Sequence, residues 1–251
     1  MGRLQDRIAL VTGGGSGLGK ADCERLAEEG CYVYVTDIDE DAARKVAESI
    51  GERAVALKHD VASEDEWKVA YERIEADHGK LDILVNNAGI VVVATPEETT
   101  TEEFERVMSI MSTGVFYGCK HGLPLLAKSD NGSIINMSST ASHLGFSVFF
   151  AYSAAKGAVR SMTKSLAMHC QEQGYPVRVN SLHPSSIETP MVQSAMGRAG
   201  EEQEIPEGVL GPDAIGAPKD VAAMVAFLCS DDARFLTGGE YLIDNGLLVR
   251  P

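Results

Sequence analysis

Seven short runs, nearly unbroken and rich in Val, Ile and Leu, recur along this chain: Ile8–Thr12, Tyr32–Thr36, Ala54–Lys58, Ile83–Asn86, Ser133–Ser138, Val177–Leu182 and Glu240–Ile243. Apolar runs without polar alternation are the pattern of strands buried on both faces of a parallel sheet. Between them lie stretches with helical apolar spacing, at Leu18–Glu29, Asp41–Ile50, Glu64–His78, Thr101–Leu126, Tyr152–Cys170 and Ala217–Cys229. The alternation predicts an α/β fold: a doubly wound Rossmann-type parallel sheet of about seven strands with helices on both faces. With 251 residues, 44% of them hydrophobic, and no repeat or linker, 1–251 reads as a single domain. One stretch, 185–218, breaks the pattern with glycines, prolines and the acids Glu201, Glu202, Glu204 and Glu207, and has only a short Met191–Met196 turn. Such a segment is either a solvated surface loop or a lid over a site; the expectation is a substrate lid.

Charge and composition narrow the function classes. A net charge of −15 opposes binding to nucleic acid or anionic membranes, and no run of Lys and Arg offsets it. No apolar run reaches the ~18 residues of a membrane span. Met1–Asp6 is charged and lacks an apolar core, so no secretory signal is expected. The five cysteines (Cys23, Cys31, Cys119, Cys170, Cys229) are scattered, as in a reduced cytoplasmic protein. The six histidines have no metal-ligand spacing, and no metal is expected.

The first strand runs directly into TGGGSGLG, Thr12–Gly19, and then a helix. Glycines there let the backbone approach a pyrophosphate, and the helix N-terminus presents N–H donors and a positive dipole. The second strand leads to Asp37, where a carboxylate can accept from both ribose hydroxyls of NAD and would repel a 2′-phosphate. Asp37 or Asp39 could instead cap the helix that follows; Asp39 can do that alone, leaving Asp37 free.

Tyr152 and Lys156 are four residues apart on one predicted helix and share a face. A phenol of pKa ~10 is a poor proton donor–acceptor near neutrality, and a neighbouring ammonium is expected to lower it. Ser139 stands at the carboxyl end of the fifth strand, where open α/β sheets bind ligands. Its hydroxyl could donate to a substrate oxygen that gains charge, or it could belong to a merely polar loop with Ser138 and Thr140.

These motifs together, with Asp60-Val61 and the NNAG run Asn86–Gly89, resemble the short-chain dehydrogenase/reductase family over nearly the whole chain. VRVNSLHP (Val177–Pro184) and ETPM (Glu188–Met191) look most similar to its bacterial NAD-linked hydroxysteroid and cyclic-alcohol dehydrogenases. The resemblance implies an NAD-dependent alcohol dehydrogenase or ketone reductase. Ser139, Tyr152 and Lys156 would be catalytic, with Tyr152 passing the proton while hydride moves between nicotinamide C4 and the carbinol carbon. Gly13, Ser16, Gly17, Leu18 and Gly19 would lie against the pyrophosphate, and Asp37 on the adenosine ribose. Asp60 and Val61 would flank adenine, and Asn87, Ala88 and Gly89 would line the ribose, with Asn86 bracing the central strand. Pro184, Ile187 and Thr189 would hold the carboxamide, and Tyr152 and Lys156 would also meet the cofactor. A homotetramer or dimer is implied, with the apolar YLIDNGLLV near the C-terminus a candidate interface.

One position departs from the family pattern. Val107–Phe116 reads VMSIMSTGVF, and Met111 stands where the family usually has an Asn that holds a proton-relay water, chiefly by its main-chain carbonyl. Ser109 or Ser112 are possible substitutes. Met111 is also the support for a rival reading, a non-catalytic NAD-binding sensor. A 3-oxoacyl-carrier reductase is a further alternative, opposed by Asp37 and the acidic segment Pro96–Glu105. For the substrate, Leu144, Phe146, Phe149, Met191 and Met196 are the expected apolar walls, favouring a cyclic, steroid-like or aryl secondary alcohol or ketone. The phenylalanines could equally pack in the core or at a subunit interface.

Overall fold

The structure, a computed structural model, describes residues 2–205, 207–208, 210–211 and 214–250. Pro206, Val209, Pro212 and Asp213 of the expected lid lie outside the described residues. The strands are β1 (Ile8–Thr12), β2 (Tyr32–Asp37), β3 (Ala54–Lys58), β4 (Ile83–Asn86), β5 (Gly132–Met137), β6 (Val177–Pro184) and β7 (Glu240–Ile243). They form one sheet in the order β3-β2-β1-β4-β5-β6-β7, with every pairing parallel. This is the doubly wound fold that the alternation predicts.

Every residue of β1, β4, β5 and β6 is buried, which is why these strands carry no polar alternation. Successive side chains go to opposite faces. Ala9 and Val11 join Cys23 and Leu26 of α1 (Gly17–Glu28), Val46 of α2 (Glu40–Ile50) and Val225 of the last helix in one core. Ile8 and Leu10 join Trp67 and Ile74 of α3 (Glu64–His78) and Cys170 of a long helix on the other face.

Helix ends follow local chemistry. Asp39 caps α2 by accepting from Ala42 N at 3.1 Å, and Ser63 caps α3 from Glu66 N at 3.3 Å. Thr100 and Glu103 form a reciprocal capping box at the start of α4 (Thr101–Met108).

The predicted continuous helix Thr101–Leu126 is corrected. It divides into α4, a π-helical turn at Ser109–Thr113, and α5 (Gly114–Leu126). Met111, at the middle of the π-turn, packs in a small core with Val107, Ala151 and Ala155. Beyond it α5 lies close against β4: a Cβ on Gly118 would be 2.5 Å from Asn86 Oδ1. The remaining helices are α6 (Phe150–Gln173), α7 (Pro190–Ala195) and α8 (Pro218–Cys229). Thus the irregular stretch contains one short true helix, capped by Thr189, which accepts from Val192 N at 3.3 Å. Among the described residues no helix is long and apolar enough to cross a membrane.

Candidate active site

Strand order reverses between β1 and β4, and a cleft of about 340 Å³ opens there, over the carboxyl ends of the strands. The turn after β1 forms one wall. Thr12 Oγ1 accepts from Asn87 N at 3.0 Å and Ala88 N at 3.1 Å, and Asn87 Nδ2 donates to Thr12 O at 2.9 Å. The NNAG run is thereby joined to the glycine turn. Gly13 sits at φ +65, and a Cβ there would be 2.9 Å from Ala88 Cα. Gly13, Ser16, Gly17 and Leu18 line the cleft. Gly19 lies behind them and is not among the lining residues. A Cβ on it would be 2.1 Å from Gly13 O, so it acts by letting α1 close onto the turn.

Asp37 lines the cleft at the tip of β2. Its Oδ2 accepts from Gly15 N and its Oδ1 from Asp39 N, both at 3.0 Å. Because Asp39 caps α2, Asp37 keeps lone pairs for a ligand. Asp60, Val61, Asn87, Ala88 and Gly89 line the middle of the same cleft. Asn86 lies beneath, donating through Nδ2 to Asn136 Oδ1 at 2.8 Å.

The other end holds Ser139, Tyr152, Lys156, Pro184, Ile187, Thr189 and Met191. Ser139 lies just past β5, and its Oγ accepts from Ala141 N at 3.1 Å. Burial raises the pKa of the Tyr152 phenol, and the nearby Ser139 hydroxyl offsets this only in part. This corrects the expected lowering by Lys156. The Lys156 ammonium lies 5.5 Å from the Tyr152 ring centre and donates instead to the Met137 main-chain oxygen at 2.6 Å. Burial lowers Lys156 itself to about 8. Met111 is 1% exposed and packs against Gly89; among the described residues no hydrogen bond joins Ser109 or Ser112 to Lys156.

The donors present fit a dinucleotide: a floor of glycine backbone that Cβ atoms would obstruct, a carboxylate with free lone pairs at one end, and a buried Tyr–Lys pair at the other.

The expected substrate walls divide into residues that line the cleft and residues that do not. Leu144, Phe146, Phe149 and Met196 are not among the residues lining the cleft; Met191 is, with Val192. The loop after Ser142 is joined to the segment preceding α4, since Ala94 N donates to Val148 O at 2.9 Å and Ala94 bridges to Phe149. Phe149 still reaches the Tyr152 ring, with centroids 6.1 Å apart, and Phe146 packs on Phe149. Met196 ends α7 and is 56% exposed.

Sequence reasoning missed Ile38, Ile90, Arg106 and Ile110 along the cleft. Arg106 and Ile110 are four apart on α4 and the π-turn, a shared face that could have pointed to them. It also missed a convergence that bears on the expected absence of metal. Ligand atoms of His143, His183 and Glu240 lie within 4.8 Å of one another. Arg160 Nε, at 2.9 Å, and Lys164 already occupy the Glu240 carboxylate.

Comparison with known proteins agrees with this geometry. A family model described as enoyl-(acyl carrier protein) reductase matches residues 13–248. A 3-beta-hydroxysteroid dehydrogenase of Comamonas testosteroni is 39% identical, over 98% of this chain and 97% of its own length. An NADP-dependent (R)-specific alcohol dehydrogenase of Lentilactobacillus kefiri is also 39% identical, over 97% of each chain. Among solved structures, a 3-ketoacyl-(acyl-carrier-protein) reductase of Brucella melitensis complexed with NADH is similar with a TM-score of 0.88. It is 32% identical, with 97% of this chain and 98% of that one covered.

Proposed function

Because this chain belongs to the short-chain dehydrogenase/reductase family, we propose that it interconverts a secondary alcohol and its ketone using NAD(H). The observation that carries the reading is the convergence of Ser139, Tyr152 and Lys156 on one glycine-floored cleft that also presents the Asp37 carboxylate. A bound nicotinamide cofactor supplies or accepts the hydride. Tyr152 gives the proton to the carbonyl oxygen, or takes it from the alcohol, and Ser139 donates to that oxygen as charge develops. Lys156, anchored on the Met137 main-chain oxygen, lies where it can bond the cofactor ribose. Gly13, Ser16, Gly17 and Leu18 lie under the pyrophosphate, Asp60, Val61, Asn87, Ala88 and Gly89 around the adenosine, and Pro184, Ile187 and Thr189 by the carboxamide. Asp37 disfavours a 2′-phosphate by like charge, which supports NAD over NADP although one relative is NADP-dependent.

The substrate we assign is an apolar cyclic, steroid-like or aryl ketone or alcohol. Met191 and Val192 line the reacting end, and Phe149 stands at the edge of the Tyr152 ring. Segment 185–218, with α7 at its start, is the substrate lid. We assign a cytoplasmic homo-oligomer, a tetramer or dimer. The free thiols suit a reducing compartment, and Phe116, Phe150 and Met168 expose apolar surface on α5 and α6 that a second copy could cover. The test is NADH absorbance with a panel of steroid, bicyclic and aryl ketones, hydroxy acids, sugars and a 3-oxoacyl thioester. Higher kcat/KM on the apolar ketones supports the reading; higher values on the thioester shift it to the acyl reductase.

A further inference from the structure

Beside the cleft, outside its lining, two imidazoles meet. His143 Nε2 lies 3.1 Å from His183 Nδ1, with ring centres 4.6 Å apart. His183 is fully buried near the end of β6. Its Nδ1 lies 3.3 Å from the main-chain oxygen of Ser139 and 3.1 Å from the Ser142 hydroxyl. That hydroxyl itself donates to Ser139 O at 2.8 Å. On the other side of the ring, Nε2 lies 2.8 Å from Ser181 Oγ. The Ser181 hydroxyl also lies 3.3 Å from Gly239 O. In the tautomer protonated at Nδ1, with the Ser181 proton directed to Nε2, the Nδ1–H faces the Ser139 carbonyl and His143 Nε2. His143 leads on to Glu240, 3.6 Å away, which Arg160 and Lys164 hold.

The contacts converge on one main-chain group. Ser139 has extended backbone, φ −166 and ψ 160, and caps the short helical turn Thr140–Ser142, whose Ala141 N donates to its Oγ and whose Ser142 N donates to its carbonyl. Anchoring that carbonyl from β6 therefore steadies the turn that holds the Ser139 hydroxyl. We propose that His183, backed by His143 and Glu240, is a positioning residue that holds the Ser139 main chain in place for the proton step. The proposal rests on the reading of Ser139 and Tyr152 given above.

The arrangement also gives it a pH dependence. The charged and titratable groups facing the pair are Arg160 and Lys164 from α6, Glu240 from β7 and Asp244 beyond it. Burial holds His183 down at about 4, and burial with Arg160 lowers His143. Both rings are therefore neutral near neutrality and gain charge only in acid, where the Ser139 anchor is disturbed.

The experiment compares wild type with His183→Leu and His183→Asn. It measures kcat and KM on the best ketone, NADH affinity by fluorescence, folding by circular dichroism, and the Ala141 and Ser142 amide signals by NMR. His183→Leu should lower kcat at least tenfold with NADH affinity within twofold, and should shift both amide signals. His183→Asn, whose amide can take the Nδ1 position, should recover at least a third of wild-type kcat. A folded His183→Leu with kcat within twofold of wild type and unmoved amides overturns the proposal. If wild type turns over no ketone, the functional reading fails separately, and the amide signals alone decide: unmoved signals overturn positioning. If His183→Leu does not fold, His143→Phe serves. The acid limb of the Ala141 amide titration should move by at least half a pH unit, and an unmoved limb overturns the proposal.

Discussion

Lys156 Nζ donates to the main-chain oxygen of Met137 at 2.6 Å, joining α6 to the last residue of β5. Ser138 Oγ donates back to Lys156 O at 2.9 Å, so the helix and the strand end are joined twice. Lys156 is therefore held by backbone, not by the side chain at position 111, and Ser139 and Tyr152 are kept adjacent.

This arrangement bears first on Met111. Met111→Asn would bury an amide in the apolar cluster of Val107, Ala151 and Ala155. An unsatisfied buried amide costs about 1–3 kcal/mol. The variant should melt lower, with kcat within threefold of wild type, because the main-chain carbonyl is retained. A tenfold rise in kcat would show that the missing side chain limits turnover after all.

Tyr152→Phe tests the proton step. NADH affinity should stay within about threefold, since the ring remains, while kcat falls by the 10²–10⁴-fold typical of a lost general acid. More than a few per cent of wild-type kcat in a folded variant would remove Tyr152 from that role.

Much of this was legible before any coordinates. β1, β3, β4 and β7 have the bounds their apolar runs predict; in β1 and β4 burial on both faces leaves no polar position to blur them, while the edge strands β3 and β7 are only partly buried. The doubly wound order follows from alternating runs and helices. What stayed hidden depends on long-range contact. The π-turn keeps the apolar pattern of a plain helix, so nothing in VMSIMSTGVF marks it. His143, His183 and Glu240 meet only because β5, β6 and β7 are neighbours in the sheet. The end of the loop Leu144–Phe149 is held by Ala94, far away in sequence.

Cofactor choice should follow Asp37 and its neighbour Ile38, which is 63% exposed at the cleft. Wild type should favour NAD over NADP by at least tenfold in kcat/KM, from like-charge repulsion worth several kcal/mol. Replacing Asp37 with Ser and Ile38 with Arg should reverse the order, because the repelling charge goes and a phosphate-binding cation arrives. Equal kcat/KM for both cofactors in wild type would refute the role of Asp37.

Lys156 couples activity to stability. Its folded pKa of about 8 lies below the unfolded value, so between about pH 8 and 10.5 the unfolded chain binds more protons. Wild type should gain stability from this group as pH rises through that window. Lys156→Met should melt higher at pH 7, lack that gain, and lose turnover. A lower melting point for the Met variant at pH 7 would mean that the ammonium stabilises the fold.

Asp22 carries the opposite sign. It is fully buried on α1, and neither carboxylate oxygen has a hydrogen-bond partner among the described residues. Burial without compensation favours the neutral acid, so its pKa is raised well above the ordinary value of 3.8. The folded chain then holds a proton that the unfolded chain releases above about pH 4. The stability contributed by this group is complete below that pH and declines as pH rises toward the folded pKa. Asp22→Asn is nearly isosteric and has no proton to lose, so its stability advantage over wild type should grow steadily from pH 5 to 8. Urea denaturation of both proteins at half-unit pH steps measures this directly. Parallel curves across that range would show that Asp22 finds a stabilising partner when ionised and is no liability to the α1–α8 packing.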